Sequence, residues 1–329
     1  MSTLSPTEAK SARRDASIKN LPVNLFGSVM GIAGLSIAWR IASHEFGVSP
    51  LISEVVGVIA VIVFLTLSVG YLIKSAKHPR EVVGEFNHPI AGNFFGTVTI
   101  AILLLSTVVA PLSQTLSEVV WTVGTVATVA LSFTIASRLL QGKIDAGHAV
   151  PAWLIPGVAT LDIAVAGGTM SMPWAHEVNL FGLAVGTMIA LLFFTMIMSR
   201  LIHHEPLAAG MTPSMIILIA PFEVGFLAYT NFTQNVDMFA GLLFYFGLFL
   251  FVVLAFKVLR RGIPFAAGWW AISFPMAALT SASLKYSMFV QSWPITVVAI
   301  ILLALLSIAI IVLLVRTLHS LFNGRLLAG

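Results

Sequence analysis

Ten long apolar stretches cross this chain of 329 residues, and every second stretch opens with a proline. The opening prolines are Pro22, Pro89, Pro151, Pro213 and Pro264. A proline suits the first turn of a helix, because the N–H group that it lacks would have no partner there. The spacing predicts five helical hairpins arranged around an axis, and a membrane protein of that shape conducts or carries a solute.

The composition predicts an all-α integral membrane protein. Charged residues make up 9% of the chain, whereas soluble domains usually carry about 25%. Uncharged runs of the size of a spanning helix, about 20 residues, recur over residues 21–318, without the polar–apolar alternation of a membrane β-barrel. We therefore expect ten transmembrane helices, a cytoplasmic N-terminal tail over residues 1–20 and a short cytoplasmic C-terminal tail over residues 319–329.

The basic residues predict how the helices are oriented. With ten spans, 15 of the 17 Lys and Arg residues fall on one side, and only Arg40 and Lys285 fall on the other. Cytoplasmic loops carry an excess of Lys and Arg, so we expect both termini in the cytoplasm and the protein in the inner (plasma) membrane. Because topology explains the net charge of +4, no nucleic-acid partner is expected.

Odd and even spans differ in composition. Residues 264–284 contain 13 Gly, Ala, Ser, Thr or Pro residues, whereas residues 295–315 contain 5. Small residues suit close helix packing or the wall of a cavity, whereas a run of large aliphatic residues suits a helix that faces lipid. The odd helices are therefore predicted to line a central pore in a quasi-five-fold arrangement.

Three odd spans carry a second, interior proline, at Pro156, Pro221 and Pro275. An interior proline removes a backbone hydrogen bond and kinks the helix, and the freed carbonyl groups can meet water or solute. We interpret these prolines, with the neighbouring Phe222 and Ser273, as kink or pore-lining positions. The alternative is that they are the ordinary prolines of membrane helices.

Three unusual residues lie ten or eleven positions after the opening proline of their span: Asp162, Glu223 and Phe274. At about 1.5 Å per residue this distance is about 15 Å, which is half of a hydrocarbon core of about 30 Å. A bulky apolar ring at that depth, in a helix of small residues, can block and dewet a narrow pore. Phe274 is therefore the candidate gate.

Asp162 and Glu223 are the acidic residues that lie well inside predicted spans. A lone charge at that depth costs about 2.5–3.5 kcal/mol on insertion scales. One interpretation is a carboxyl group that fixes packing, and the other is a site for proton coupling or pore electrostatics. Lys285, near the outer end of its span, is a possible partner for either acid.

No motif indicates a catalytic, cofactor or metal site. The chain has no cysteine, and it contains no phosphate-binding loop, dinucleotide motif or zinc-protease motif. His203, His204 and Glu205 resemble metal ligands, but adjacent residues on a helix do not face one site. We expect no metal, no cofactor and no enzyme activity, and a membrane enzyme that uses these three residues is the third class of function considered.

Two segments resemble the tellurite-resistance/dicarboxylate transporter family, which includes bacterial TehA proteins and plant slow-type anion channels. Residues 21–39, which open with Leu-Pro-Val-Asn-Leu-Phe-Gly, resemble the first span of the family, and residues 269–286 resemble the ninth span of the plant channels. The resemblance implies ten helices in five hairpins, a pore lined by the odd helices, and a homotrimer with one pore in each subunit. It also implies a phenylalanine that plugs the pore, and the matching residue is Phe274.

These observations together predict a passive channel for small inorganic or organic anions, gated by Phe274. Selectivity would come from pore width and backbone dipoles rather than from a charged binding site. The alternative is a proton-coupled carrier or exporter of small organic anions such as dicarboxylates, or of sulfur oxyanions, with Glu223 as the proton site.

Overall fold

The computed structural model describes residues 17–142, 145–259 and 262–328, and these ranges are helical without any strand. Most of the predicted N-terminal tail, Lys143, Arg260 and Arg261 lie outside the described residues. The described part contains eleven α-helices: α1 Phe26–Phe46, α2 Leu51–Lys77, α3 Pro79–Asn87, α4 Phe95–Val109, α5 Gln114–Leu140, α6 Leu154–Gly167, α7 Ala175–His203, α8 Ala220–Thr233, α9 Met238–Val258, α10 Ser273–Val290 and α11 Trp293–Phe322.

Eight helical stretches of the described chain are long and apolar enough to cross a bilayer. They are Val23–Phe46, Leu51–Lys77, Ala91–Val109, Gln114–Leu140, Ala175–His203, Ala209–Thr233, Met238–Val258 and Trp293–Phe322. Pro151–Gly167 is apolar but shorter, and the arrangement of ten spans in five hairpins stays a prediction. The prediction of an all-helical, multi-pass membrane protein is confirmed, with eight spans supported by length and composition.

Each of five helices is entered through a 3₁₀ segment. These segments are Val23–Leu25 before α1, Ala91–Phe94 before α4, Pro151–Trp153 before α6, Ala209–Ile219 before α8 and Ala267–Ile272 before α10. The five opening prolines lie in or within three residues of these segments. The sequence repeat therefore corresponds to five copies of the same local structure, a 3₁₀ entry that continues as an α-helix.

The three interior prolines lie just after the change from 3₁₀ to α geometry. Pro156 is the third residue of α6, Pro221 the second of α8 and Pro275 the third of α10. A proline cannot donate the bond from residue i to residue i−4 that would extend an α-helix backwards, which is consistent with the 3₁₀ geometry before it. The predicted kinks are therefore changes of helix type near the helix start.

The five helices with 3₁₀ entries contact one another in a closed order. Helix α1 contacts α4, α4 contacts α6, α6 contacts α8, α8 contacts α10, and α10 contacts α1. Each of them also packs against the helix that follows it in the chain, namely α2, α5, α7, α9 and α11. We call the first five the inner helices and the second five the outer helices.

Burial separates the two sets. The apolar windows of the stretches that contain α1, α4 and α8 are 67–83% buried, whereas those of the outer helices are 11–39% buried. Small residues let the inner helices approach closely: a Cβ atom added at Gly34 of α1 would lie 2.6 Å from the Cβ of Ala277 in α10. The difference in composition between odd and even spans thus corresponds to packing against protein or exposure to lipid.

Candidate functional site

A narrow cavity lies at the centre of the inner helices, and we call it the central cavity. All five inner helices or their 3₁₀ entries contribute to its wall, with Asn24, Gly27, Met30, Phe94, Thr97, Ile100, Ile155, Val158, Ile217, Ala220, Ala267, Gly268, Trp270, Ala271, Phe274 and Pro275. The wall is largely apolar, and the centre of a water molecule can occupy about 40 Å³ of the space. The cavity is thus a constriction with little room for solvent.

A wider cavity adjoins the constriction at the start of the inner helices, and we call it the mouth. The two cavities share Asn24, Phe94, Gly268 and Ala271 in their walls. The centre of a water molecule can occupy about 420 Å³ of the mouth. The path along the helix axis therefore narrows sharply from the mouth to the constriction.

The N-terminal turns of all five inner helices surround the mouth. Its wall includes one residue from the start of each 3₁₀ entry: Val23, Ala91, Ala152, Gly210 and Gly268. The first N–H groups of a helix have no intrahelical partner, and the N-terminus carries about half a positive charge. Five such ends around one cavity give the mouth a positive electrostatic potential that favours anions.

Glu85 is the one carboxylate in the wall of the mouth among the described residues, and its charge is compensated. The Lys74 ammonium donates to Oε2 at 2.6 Å, the Tyr71 hydroxyl donates to Oε2 at 3.0 Å, and the N–H of Val23 donates to Oε1 at 2.8 Å. Lys74 is itself buried and also donates to the carbonyl of Leu21 at 2.8 Å. The cluster fixes α3 to the start of the first inner helix.

The Glu85 cluster was not predicted from the sequence. Lys74 and Glu85 are eleven positions apart on two different helices, and no motif joins them. The five opening prolines were the signal for the helix starts, because each marks an N-terminus on the same predicted side. What the sequence did not indicate is the wide cavity that the five ends surround, with Glu85 in its wall.

Phe274 lies in the wall of the central cavity and is 7% exposed. The other inner helices or their entries present Met30, Ile100, Val158 and Ile217 to the same space. The candidate gate therefore lies in an apolar ring to which every inner helix or its 3₁₀ entry contributes a side chain, and its role as a gate stays a prediction.

Pro275 also lines the central cavity, whereas Ser273 joins two inner helices. The Ser273 hydroxyl donates to the carbonyl of Trp270 at 2.7 Å and to the carbonyl of Gly27 at 3.2 Å. Pro156 is buried, and its carbonyl accepts from the Ser132 hydroxyl of α5 at 3.2 Å. These two residues contribute to helix contacts, and neither is among the residues that form the cavity wall.

Phe222 faces the outer helices. Its ring packs edge-to-face on Phe194 of α7 and Phe246 of α9, with ring centroids 5.0 and 4.5 Å apart. These contacts explain its burial, and they place it in the shell between α8 and two outer helices rather than in the wall of the central cavity.

Glu223 points towards α9. It is fully buried, and a Cβ atom added at Gly247 of α9 would overlap its carboxyl group. Among the described residues, neither carboxyl oxygen has a hydrogen-bond partner. An ionised carboxylate without a partner is very costly in such surroundings, so this environment accommodates the neutral acid.

Asp162 lies on the cavity side of α6. It follows Ile155 by seven positions and Val158 by four, and residues at these spacings share one helix face. Both of those residues line the central cavity, so Asp162 lies about one turn further along the axis. It is 1% exposed, and within the described chain its Oδ2 atom has no hydrogen-bond partner.

Lys285 binds a neutral side chain rather than an acid. Its ammonium donates to Asn231 Oδ1 at 2.6 Å, and Asn231 Nδ2 donates to the carbonyl of Val165 at 2.7 Å. The one ion pair within the described ranges joins Lys74 and Glu85. The structure therefore does not pair Lys285 with Asp162 or Glu223, the partners that the sequence left possible: the ammonium donates to Asn231, and Glu223 faces an outer helix.

His203, His204 and Glu205 lie at the end of α7. His203 is the last residue of the helix, and the next two are exposed beyond it. In the part of the chain that the structure describes, no group of three or more His, Asp or Glu side chains could hold a metal ion.

The sequence is similar to curated channels and transporters along most of its length. It is 25% identical to an uncharacterized transporter of Methanocaldococcus jannaschii, covering 94% of this chain and 97% of that protein. It is 27% identical to the S-type anion channel SLAH2 of Arabidopsis thaliana, covering 92% of this chain and 60% of the plant protein. A tellurite resistance protein TehA homolog of Haemophilus influenzae is 25% identical, with 81% of each chain covered.

The profile of one protein family spans nearly the whole chain. The family described as SLAC1, voltage-dependent anion channel, matches residues 20–318. This range contains all five inner helices, the mouth and the central cavity. The chain therefore belongs to the SLAC1 family of voltage-dependent anion channels.

Proposed function

We propose that the protein is a passive anion channel whose pathway runs from the mouth, through the central cavity at Phe274, and along the axis of the inner helices. The observation that carries the proposal is the convergence of five helix N-termini on the mouth. Their partial positive charges draw anions in, and the apolar constriction controls passage by its width and wetting.

The architecture proposed for this channel is ten spans in five hairpins. The closed order of contacts among the inner helices and the outer helix packed on each one support it. The excess of basic residues on one side supports cytoplasmic termini and a mouth on the cytoplasmic side. The family resemblance supports a homotrimer with one pore in each subunit.

The relatives that carry functional names support a channel or transporter rather than an enzyme. SLAH2 is named an S-type anion channel, and the Haemophilus relative is named for tellurite resistance. Because this chain spans only 60% of SLAH2, the regulation of the plant protein is not part of the proposal.

The test is electrical recording of the purified protein in planar bilayers with unequal chloride or nitrate concentrations on the two sides. An anion channel gives a current that reverses at the anion equilibrium potential and does not change with a proton gradient. A reversal potential that follows the cation gradient, or the absence of any current when Phe274 is replaced by Ala, would contradict the proposal.

The second candidate is a proton-coupled carrier, and Glu223 is the observation that favours it. A fully buried carboxyl group without a partner among the described residues is a natural proton-binding site. In vesicles, a carrier would accumulate a labelled dicarboxylate or sulfite when a pH gradient is imposed, and dissipating the gradient would stop the uptake. A channel would show flux driven by the anion gradient and the voltage alone.

A further inference from the structure

An apolar groove lies outside the helix ring, between the outer helices α9 and α11. The two helices pack on α8 and α10 but barely contact each other, so the gap between them stays open. The back of the α10 segment forms the floor, with Trp269, Ile272 and Met276. The centre of a water molecule can occupy about 430 Å³ of this space, and we call it the α9/α11 groove.

One end of the groove is basic. Of the described residues in the wall of the groove, Arg316 is the charged one. Its side chain is exposed and makes no hydrogen bond or ion pair with any described side chain. The groove thus combines a long apolar wall with a guanidinium group at the end that lies on the side of the mouth.

We propose that the α9/α11 groove binds one anionic phospholipid from the leaflet on the side of the mouth. An acyl chain would lie on Trp269, Ile272 and Met276, and the phosphate would contact Arg316. Guanidinium groups bind phosphate through paired hydrogen bonds, and basic pockets between transmembrane helices on the cytoplasmic side bind anionic lipid headgroups. An apolar space of this size beside a bilayer takes up a lipid chain in preference to water.

A second groove in the same molecule shows what distinguishes this one. It lies between the outer helices α2 and α5, with about 560 Å³ open to water centres, and none of its wall residues is charged. The guanidinium group of Arg138 lies above the Phe86 ring in that wall, but it already donates to the carbonyl of Phe86 and to Asn87 Oδ1. Selection for an anionic headgroup is therefore expected only between α9 and α11.

A protein occupant is less compatible with the basic end. A second copy of the chain seated in the groove would bury Arg316, and a buried charge without a partner is costly. A lipid phosphate supplies the counter-charge and remains at the membrane surface. Coverage by a second copy is one outcome that the experiment below separates.

The experiment uses Trp269, in the floor of the groove, as a reporter. The full-length protein is reconstituted in two kinds of phosphatidylcholine vesicles. One contains a small fraction of phosphatidylglycerol with brominated acyl chains, and the other contains the same fraction of brominated phosphatidylcholine. The bromine atoms quench tryptophan fluorescence on contact. Subtracting the signal of Trp269→Phe isolates the reporter from the other six tryptophans. We expect brominated phosphatidylglycerol to quench Trp269 at about five-fold lower content than brominated phosphatidylcholine, the preference that one basic residue supplies.

Variants of surface arginines test the headgroup contact. Arg316→Gln should abolish the preference for phosphatidylglycerol, and Arg316→Lys should keep part of it. Arg80→Gln is the matched control, because Arg80 is exposed on α3 on the same predicted side but does not line the groove; it should keep the full preference.

Equal quenching by the two lipids in the wild type, or a preference that survives Arg316→Gln, would overturn the proposal. The absence of quenching by either lipid would also overturn it and would indicate that a second copy covers the groove. Because quenching is read without any current, a negative result here is distinguishable from a failure of the anion-channel proposal.

Discussion

At the scale of single residues, the direction in which a side chain points matters as much as the depth of the residue along its helix. Phe274 faces the central cavity, whereas Phe222 packs between outer helices. Asp162 lies on the cavity side of α6, while Glu223 is pressed against Gly247 of α9. In each pair, the residue that faces away from the central cavity is therefore a control for the residue that faces it.

Replacing Phe274 with Ala should raise anion conductance at least about ten-fold, which corresponds to a barrier lower by about 1.4 kcal/mol. The smaller side chain removes the ring that narrows and dewets the constriction, and Phe274→Leu should have a smaller effect. Bilayer recording with equal amounts of folded protein measures the change. Phe222→Ala is the control, and it should lower thermal stability without raising conductance.

If Phe274→Ala is folded and conducts no better than the wild type, Phe274 is not the gate. An equal rise in Phe222→Ala would also contradict the assignment, because it would show that loosened packing alone increases the current.

Glu223→Gln should leave the fold and the conductance intact. The amide is close in shape to the neutral acid that this buried site accommodates, so little changes if Glu223 carries a proton and has no part in conduction. The measurements are thermal stability, conductance and uptake driven by a pH gradient. Loss of proton-driven uptake in this variant would favour the carrier over the channel.

Gly247→Ala should destabilise the protein by about 1–3 kcal/mol, the usual cost of overpacking. The new methyl group would overlap the Glu223 carboxyl group. Adding Glu223→Ala should recover part of the loss, because neighbouring changes that share one contact are not additive. Thermal unfolding in detergent measures both effects.

Gly225→Ala is the control for Gly247→Ala, since its new Cβ would approach only Leu243, at 3.9 Å. If Gly225→Ala costs as much as Gly247→Ala, helix glycines in general explain the loss, and the contact with Glu223 does not.

At the scale of secondary-structure elements, the 3₁₀ entries set the depth of the inner-helix side chains along the axis and the direction in which they point. A 3₁₀ helix rises about 2.0 Å per residue and turns about 120°, compared with about 1.5 Å and 100° in an α-helix. The entry before α8 runs from Ala209 to Ile219. Over the six residues after Pro213, a 3₁₀ helix therefore advances about 3 Å further along its axis than an α-helix would. It also rotates the following side chains by about 120° more about that axis.

The short helix α3 is held at the mouth by the Lys74–Glu85 pair, whose side chains are 4% and 15% exposed. Glu85→Gln should destabilise the protein by up to about 3 kcal/mol, because it leaves a buried ammonium without its counter-charge. The double variant Lys74→Met/Glu85→Gln should be more stable than Glu85→Gln alone. Glu81→Gln, an exposed position on the same helix, is the control in thermal unfolding and should have little effect.

At the scale of the whole molecule, the chain separates a buried inner set of helices from an outer set that faces lipid. The parallel inner helices direct five N-termini to one end of the axis. Because helix dipoles act over the first turn, this arrangement concentrates positive potential at the mouth without a charged binding site. It gives a physical basis for the anion preference of the proposed pathway, whose walls are apolar.

Single-cysteine labelling should place the mouth in the cytoplasm. The native chain has no cysteine, so each introduced thiol is the only one present. A membrane-impermeant maleimide added to intact cells should label Ser49→Cys and Ser171→Cys, which are exposed at the opposite end of the helices. It should reach Gln141→Cys and His204→Cys only after the cells are opened, and the reverse pattern would contradict the topology.

The sequence by itself determined the elements and their environment. A segment inside a bilayer must satisfy its backbone groups internally, so the length and apolar content of each run were enough to predict helices. The prolines near the helix starts and the excess of small residues in odd spans predicted which helices lie inside. These are local properties, which neighbouring residues along the chain specify.

Only the tertiary structure decided where the side chains point and which of them meet. The distance of Glu223 from Pro213 is a count of residues, but its direction depends on the rotation accumulated through the 3₁₀ entry and on the outer helix packed beside it. For the same reason Lys285 meets Asn231, and Glu85 meets Lys74 from another helix. The mouth itself exists only because five helices far apart in sequence close into one ring.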